Sequence, residues 1–312
     1  MSETVATQVA APSRLAAKHI VDVLIEERAP SLSRSPAWGL VRPPLYGILN
    51  YRKAVAMANA IAPLPGKPAL DFISDLLSLD AQATGVERLP KTGSFLVAVN
   101  HPTGITDGIA VYDIMRRRRA DVMFYANSDA HRVCPRFDDI LIPVEWVLSK
   151  RTRERTRQTL KQTGEAISAG RPIVIFPAGR LARVRPDGRI TDPEWMATAV
   201  SLSRKYNLPI VPCHCAGPYA FWFHLFDKFS RELRDITLFH ELLNKQGKTY
   251  KLTFGPPIPP TDIEGEATSA TRRIKHYVER VLPHAPDMPF DPAGPECDWR
   301  DPPAQTFTQG AN

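Results

Sequence analysis

Three short apolar runs constrain this chain more than any other feature. Phe95-Leu96-Val97-Ala98-Val99, Ile173-Val174-Ile175-Phe176 and Leu208-Pro209-Ile210-Val211-Pro212-Cys213 carry no charge and are bounded by Gly, Pro or polar turn residues. Runs of this length and β-branched content read as strands buried on both faces. Helical stretches separate them: Ile109 to Met115 running into Arg116-Arg117-Arg118-Arg119, a segment from the Lys150 to Arg157 cluster through Ile167 to Gly170, and Glu194 to Tyr206. Further strands are expected over Asp121 to Ala126, Ile140 to Val144 and Tyr250 to Phe254, with a closing helix over Ala267 to Leu282. This alternation predicts an α/β fold, a mainly parallel sheet flanked by helices, preceded by an N-terminal helical segment. Ligands of such sheets collect at the carboxyl ends of the strands, so the residues directly after each run are the functional candidates.

The first run opens onto Asn100-His101-Pro102-Thr103-Gly104-Ile105-Thr106-Asp107-Gly108. A strand ending in His, a Pro/Gly-bearing turn and an Asp that opens a helix can place a carboxylate behind an imidazole. Asp107 would then fix the tautomer of His101 and support its protonated form, leaving the second ring nitrogen to take a proton. No Ser or Cys stands inside the segment. The attacking group is therefore expected to be a substrate hydroxyl activated by His101, not an enzyme nucleophile. A lone His/Asp pair is ordinarily a strand-end and helix-capping pair, and it is the other strand ends that change this reading. The second run empties into Pro177-Ala178-Gly179-Arg180-Leu181-Ala182-Arg183, where the forked donors of Arg180 or Arg183 suit a phosphate. Arg151 or Arg153, at the head of the helix before that run, is a further candidate for such a contact.

Taken in order, the turn Gly85-Val86-Glu87-Arg88-Leu89-Pro90-Lys91-Thr92-Gly93, the His101 segment, Pro172 to Arg180 and Pro209-Ile210-Val211-Pro212 resemble the phospholipid/glycerol (lysophospholipid) acyltransferase family, from about Gly85 to Pro257. The resemblance implies an O-acyltransferase that moves a fatty acyl group from an acyl-CoA or acyl-carrier-protein thioester to a hydroxyl of a lysophospholipid or glycerol phosphate. It implies His101 as general base, Asp107 as its partner, and no bound cofactor or metal. Backbone amides at the turn after His101, around Thr103 to Gly108, or at the Gly179 turn, are then expected to stabilise the charge that develops on the thioester oxygen, with Thr103 and Gly104 as substrate-binding candidates. Two departures stand out. Five residues separate His101 from Asp107 where the usual family pattern has four, which would put Thr106 at the acidic position; the longer spacing resembles hemolysin-like and ornithine-lipid acyltransferases. Where the family often reads Phe-Pro-Glu-Gly-Thr-Arg, this chain has Phe176-Pro177-Ala178-Gly179-Arg180-Leu181-Ala182-Arg183, so the acceptor head is expected to face arginines and to be anionic.

A length of 312 residues with 43% hydrophobic content is enough for one large core. The expected division is a loosely ordered arm over 1–35, with a short helix around Ala16 to Glu27, and a helical segment over 36–80 that either lies in a membrane interface or packs on its own domain. The acyltransferase domain follows over 81–283, then a disordered Pro-rich tail over 284–312. A net charge of +7 suits anionic partners: an anionic membrane surface, phosphate heads, coenzyme A or an acidic carrier protein. No helix-turn-helix, zinc-finger or aromatic-platform signature points to nucleic acid. Four cysteines do not make a disulfide framework in a chain of this size, and residues 1–35 lack the apolar core of a signal peptide, so the expected place is the cytoplasm. No run reaches the ~18 apolar residues of a membrane span, which predicts peripheral attachment to the inner membrane face. Cys213-His214-Cys215 has the wrong spacing for a zinc pair and reads as a buried strand end. The aromatic stretch Tyr219 to Phe226 reads as core packing, an acyl channel or a lipid contact. The rival functions are a thioester or lipid hydrolase, for which the Gly-x-Ser-x-Gly elbow is missing, and a non-catalytic basic lipid-binding protein, which would need neither His101 nor Asp107.

Overall fold

In the computed structural model, which describes residues 18–145 and 152–297, the three apolar runs become neighbouring strands at the centre of one sheet. Five helices come first: α1 (Ile20–Arg28), α2 (Pro30–Arg34), α3 (Trp38–Ile48), α4 (Tyr51–Ile61) and α5 (Gly66–Leu77). They lead into β1 (Asp80–Thr84), β2 (Leu96–Val99), α6 (Ile105–Arg118), β3 (Met123–Asn127), α7 (Asp129–Val133), β4 (Leu141–Val144), α8 (Arg153–Ser168) and β5 (Ile173–Ile175). A hairpin of β6 (Arg183–Val184) and β7 (Ile190–Thr191) precedes α9 (Thr198–Tyr206) and β8 (Ile210–Ala216). The chain then runs through α10 (Phe221–Asp227), α11 (Arg231–Ile236), α12 (Leu238–Leu243), β9 (Thr249–Phe254) and α13 (Ala267–His276). The seven sheet strands lie in the order β1-β9-β8-β2-β5-β3-β4, and every neighbouring pair is parallel except β8 and β9.

Leu96 of β2 lies opposite Ile173 of β5 and Ile210 of β8. Alternation along β2 sends Leu96 and Ala98 to a core shared with Ala166, Val200 and Ile274 of the helices on one face. Val97 and Val99 point to a second core with Leu70, Leu77, Val111 and Tyr112 on the other. Each such side chain removed from water contributes roughly 1.5–3 kcal/mol, which is why the strand carries no polar residue until its end. Because β2, β5 and β8 are parallel, the segments after Val99, Ile175 and Ala216 gather on one edge of the sheet.

The periphery departs from expectation in three places. The helical segment expected over 36–80 is broken, with α3 and α4 separated because Asn50 takes a left-handed conformation (φ 55°) and turns the chain between them. The supposedly loose arm is docked over its described residues: Val21, Leu24 and Ile25 are buried, Asp22 accepts from the Tyr46 and Tyr51 hydroxyls at 2.8 Å each, and Arg28 pairs with Asp129 at 2.8 Å. The tail is likewise held as far as residue 297. Arg88 donates to Pro286 O at 2.7 Å and pairs with Asp287, and Glu296 pairs with Arg273 at 3.4 Å. Charged and carbonyl partners thus help to hold both segments in place. Among the described residues no helix is long and apolar enough to cross a membrane.

Candidate active site

The turn after β2 is built by side chains that fix the backbone before any chemistry begins. Asn100 is buried and clamps β2 to β8, donating to Cys215 O at 3.0 Å and accepting from Cys215 N at 2.6 Å. The next residue, His101, donates its backbone N–H to both carboxylate oxygens of Asp192, at 3.0 and 3.1 Å, and its carbonyl accepts from Ala182 N at 2.9 Å. Gly104 then sits at φ 116°, a conformation that disfavours any side chain, and a Cβ there would also press on Leu181. This kink starts α6 at Ile105 and leaves Asp107 in its first turn, facing back toward the strand end.

Asp107 is fully buried, and its carboxylate is saturated. It accepts from Thr103 N at 2.9 Å, Gly104 N at 3.1 Å, Thr103 Oγ1 at 2.5 Å and His101 Nδ1 at 2.8 Å. Because the Thr103 hydroxyl gives its proton to Asp107, it accepts from the Tyr250 hydroxyl 2.8 Å away. Burial and the Asp107 charge push the Tyr250 and Cys215 pKa values far up, so the Cys215 thiol, 3.7 Å from Asp107 Oδ1, stays protonated and is no nucleophile. A carboxylate on Nδ1 assigns the proton to that nitrogen and leaves Nε2 as the basic one. The His101 side chain is 16% exposed, with its ring centroid 4.6 Å from that of Phe176, so it is confined yet reachable.

Around this dyad the sequence-derived candidates separate. The Thr103 and Gly104 amides expected to face the substrate instead donate to Asp107, and both residues are buried. Gly179 adopts φ 62° and its N–H closes a turn on Phe176 O at 3.0 Å, which directs the chain back over the strand end. Arg180 is exposed on that turn. Arg183 is tied down: its guanidinium lies 4.8 Å over the Phe223 ring, donates to Leu181 O at 3.1 Å and pairs with Asp227 at 3.5 Å. Burial and neighbouring Arg234 lower its pKa to about 10. Arg153 is exposed at the start of α8, a helix that packs on β4, the edge strand beyond β5 and β3. Arg151 lies outside the described residues. Cys213 and Cys215 point to one face of β8, while His214 points to the other and bonds Val278 O at 3.0 Å. A cleft of about 580 Å³, lined by Tyr125, Pro143, Val144, Thr159, Met196 and Leu202 among others, opens along β3 and β4.

The second carboxylate at His101 is the residue that sequence reading missed. Asp192 is buried, receives the Trp195 indole N–H at 2.8 Å, and its own N–H bonds Glu279 at 2.7 Å. Buried Lys275 stands 3.6 Å from Glu279, and burial together with the Glu279 charge raises the Asp192 pKa. The dipeptide Asp192-Pro193 reads only as a turn, and its partner is a backbone amide 91 positions away.

Residues 80–216 match the family described as Acyltransferase, and that match covers β1 through β8 and contains the whole His101–Asp107 turn. Over this stretch the chain is similar to the acyltransferase family. A "Lyso-glycine lipid O-acyltransferase" of Phocaeicola vulgatus is 28% identical over 206 residues, which cover 62% of this chain and 70% of that protein. One of the same name from Bacteroides thetaiotaomicron is 25% identical over 225 residues, covering 69% and 80%. Among solved structures, the 1-acyl-sn-glycerophosphate (LPA) acyltransferase PlsC from Thermotoga maritima aligns over 85% of this chain and 90% of its own at 17% identity, with a TM-score of 0.44.

Proposed function

We propose that this acyltransferase transfers a fatty acyl group from a coenzyme A or carrier-protein thioester to the hydroxyl of a lyso-lipid with an anionic head, at the inner face of the membrane. The observation that carries the reading is the His101 Nδ1 to Asp107 contact of 2.8 Å, with Asp107 fully buried and held by three further donors. His101 Nε2 takes the proton of the acceptor hydroxyl as that oxygen attacks the thioester carbonyl, and Asp107 supports the imidazolium. With the Thr103 and Gly104 amides engaged, the negative charge that develops on the carbonyl oxygen is assigned to the amino-terminal turn of α6, whose dipole favours an anion. Collapse of the intermediate expels the thiolate, and the proton on His101 returns to it or to water. A thioester is already activated, so the step asks for no further group.

The names of the two curated relatives support a lyso-lipid acceptor. Arg180, exposed on the β5 turn, is the proposed contact for its phosphate or carboxylate. Attachment to the membrane is proposed as peripheral: α3 presents Leu40, Val41 and Ile48 to solvent beside Arg42. The test is transfer of a labelled acyl group to lysolipids by wild-type protein and by His101→Ala of unchanged circular dichroism. The reading expects O-acylated lipid from the first alone, and equal turnover by the variant overturns it.

A further inference from the structure

We propose that the outward face of α10, continued by Lys228 and Phe229, is a docking edge for an anionic lipid bilayer set against the mouth of the active site. The inference rests on the proposed lyso-lipid acceptor only for its biological sense; its evidence is the composition and position of this face.

The position follows from two close approaches. A Cβ built at Gly217 would stand 2.9 Å from Thr103 Cγ2 and 2.5 Å from the Tyr250 ring, so the chain leaving β8 lies directly on the support of the dyad. It then enters α10, whose inner side buries Phe223 with Ala220 and with Leu181 of the β5 turn. Helix α10 is therefore wedged between the two turns that hold His101 and Arg180.

Among the described residues its outer side has no such core partner. Tyr219, Phe221 and Phe229 are 50%, 55% and 76% exposed. Phe221, half-buried Leu225, exposed Lys228 and Phe229 follow the i, i+4, i+7, i+8 spacing of one helical stripe. A solvated surface helix of a globular protein carries charges on that stripe; this one carries aromatic rings. The charges nearby are also sorted. Asp227 is held by Arg183 and Arg234, Asp235 by Arg234, and Glu232 by the Ser31 and Leu32 amides. Lys228 and Arg231 are exposed with no ion-pair partner among the described residues. Apolar rings flanked by unpaired cations complement an anionic interface, where rings enter the head-group layer and cations meet phosphate. In a chain of net charge +7 a second copy of the same face would bring cation against cation, which disfavours self-association.

Flotation with phosphatidylcholine vesicles, with and without phosphatidylglycerol, tests this. The wild-type protein should float with the phosphatidylglycerol vesicles, and the double variant Phe221→Ser/Phe229→Ser should lose at least about tenfold in bound fraction at limiting lipid. Lys228→Glu/Arg231→Glu should lose the preference for phosphatidylglycerol and its salt sensitivity. Flotation does not depend on turnover, so it stands even if the acyltransferase reading fails. With a short-chain lysolipid kept below its micellar concentration, the Phe variant should turn over within about twofold of wild type, which separates docking from catalysis. Equal flotation of wild type and the Phe variant, no flotation of either, or a shift of oligomeric state on gel filtration as the main effect of the substitutions would each overturn the proposal.

Discussion

The turns after β2 and β5 stand side by side on one sheet edge yet are built in opposite ways. The β2 turn is closed: Asn100, Thr103 and Asp107 are buried, and every polar contact described for them is internal. The β5 turn carries Gly179 in a left-handed conformation and leaves Arg180 exposed. Fixed dipoles around a proton acceptor need no reorganisation during reaction, whereas a group that meets a head must remain accessible. On the proposed mechanism the first turn does the chemistry and the second recognises the acceptor, a division that can be broken by substitutions that move the wrong kinetic parameter.

The largest effect belongs to the closed turn. His101→Ala should lower kcat by ~10²–10⁴ with unchanged circular dichroism, and Asp107→Asn should be comparably damaging because it disturbs the tautomer of His101. Thr106→Ala should be mild, since the contacts described for Thr106 are to Glu241 O at 3.4 Å and to the Tyr250 hydroxyl, neither of them part of the His101–Asp107 pair; a worse Thr106→Ala would mean that the partner of His101 is misassigned. Next comes the open turn. Arg180→Ala should cost on the order of 1.5–3 kcal/mol of acceptor binding, read as a raised acceptor KM with the donor KM unchanged. Arg183→Ala should instead lower thermal stability, because Arg183 ties Asp227, Leu181 O and the Phe223 ring together. If Arg183→Ala moved acceptor KM and Arg180→Ala did not, the division between the two arginines would be reversed.

A smaller effect tests how far the closed network reaches. Tyr250→Phe removes the hydroxyl that donates to Thr103 and should cost about 0.5–1.5 kcal/mol, seen as a several-fold fall in kcat at constant KM. The last lies behind the open turn and is read in stability, not in turnover. His224 is buried between Tyr219 and Phe223, and burial with nearby Arg183 holds its pKa down to about 4. The unfolded chain protonates this residue near pH 6.5, so between those values the unfolded state binds the extra proton and stability falls as pH falls. Over that window the wild type should lose roughly 1–3 kcal/mol more than His224→Phe in urea titrations.

Legibility in the sequence followed the range of the interactions. The central strands were readable because burial on both faces leaves only apolar residues in Phe95 to Val99, Ile173 to Ile175 and Ile210 to Val211. The dyad was readable because His101 and Asp107 lie within one turn of chain. Strand β1 was not: Asp80-Ala81-Gln82-Ala83-Thr84 is polar, alternates in exposure and becomes a strand only by pairing with β9. Asp192 and Tyr250 were invisible for the same reason, since their partners His101 and Thr103 lie 91 and 147 positions away. Of the four arginines after Met115, Arg116 pairs with Asp71 and Asp113, and Arg119 is buried against Pro90, Gly93 and Gly170 carbonyls. Charge was visible in the sequence; its destination was not.

Acceptor dependence of thioester cleavage tests the central claim most directly. Release of the thiol from a long-chain acyl-CoA or acyl-carrier protein should be followed in the presence and absence of a lysolipid, with the acyl product identified by mass spectrometry. The account predicts thiol release only when the acceptor hydroxyl is present, one O-acylated lipid for each thiol, and neither with His101→Ala. Release of thiol and free fatty acid without any acceptor would contradict it and identify water as the nucleophile.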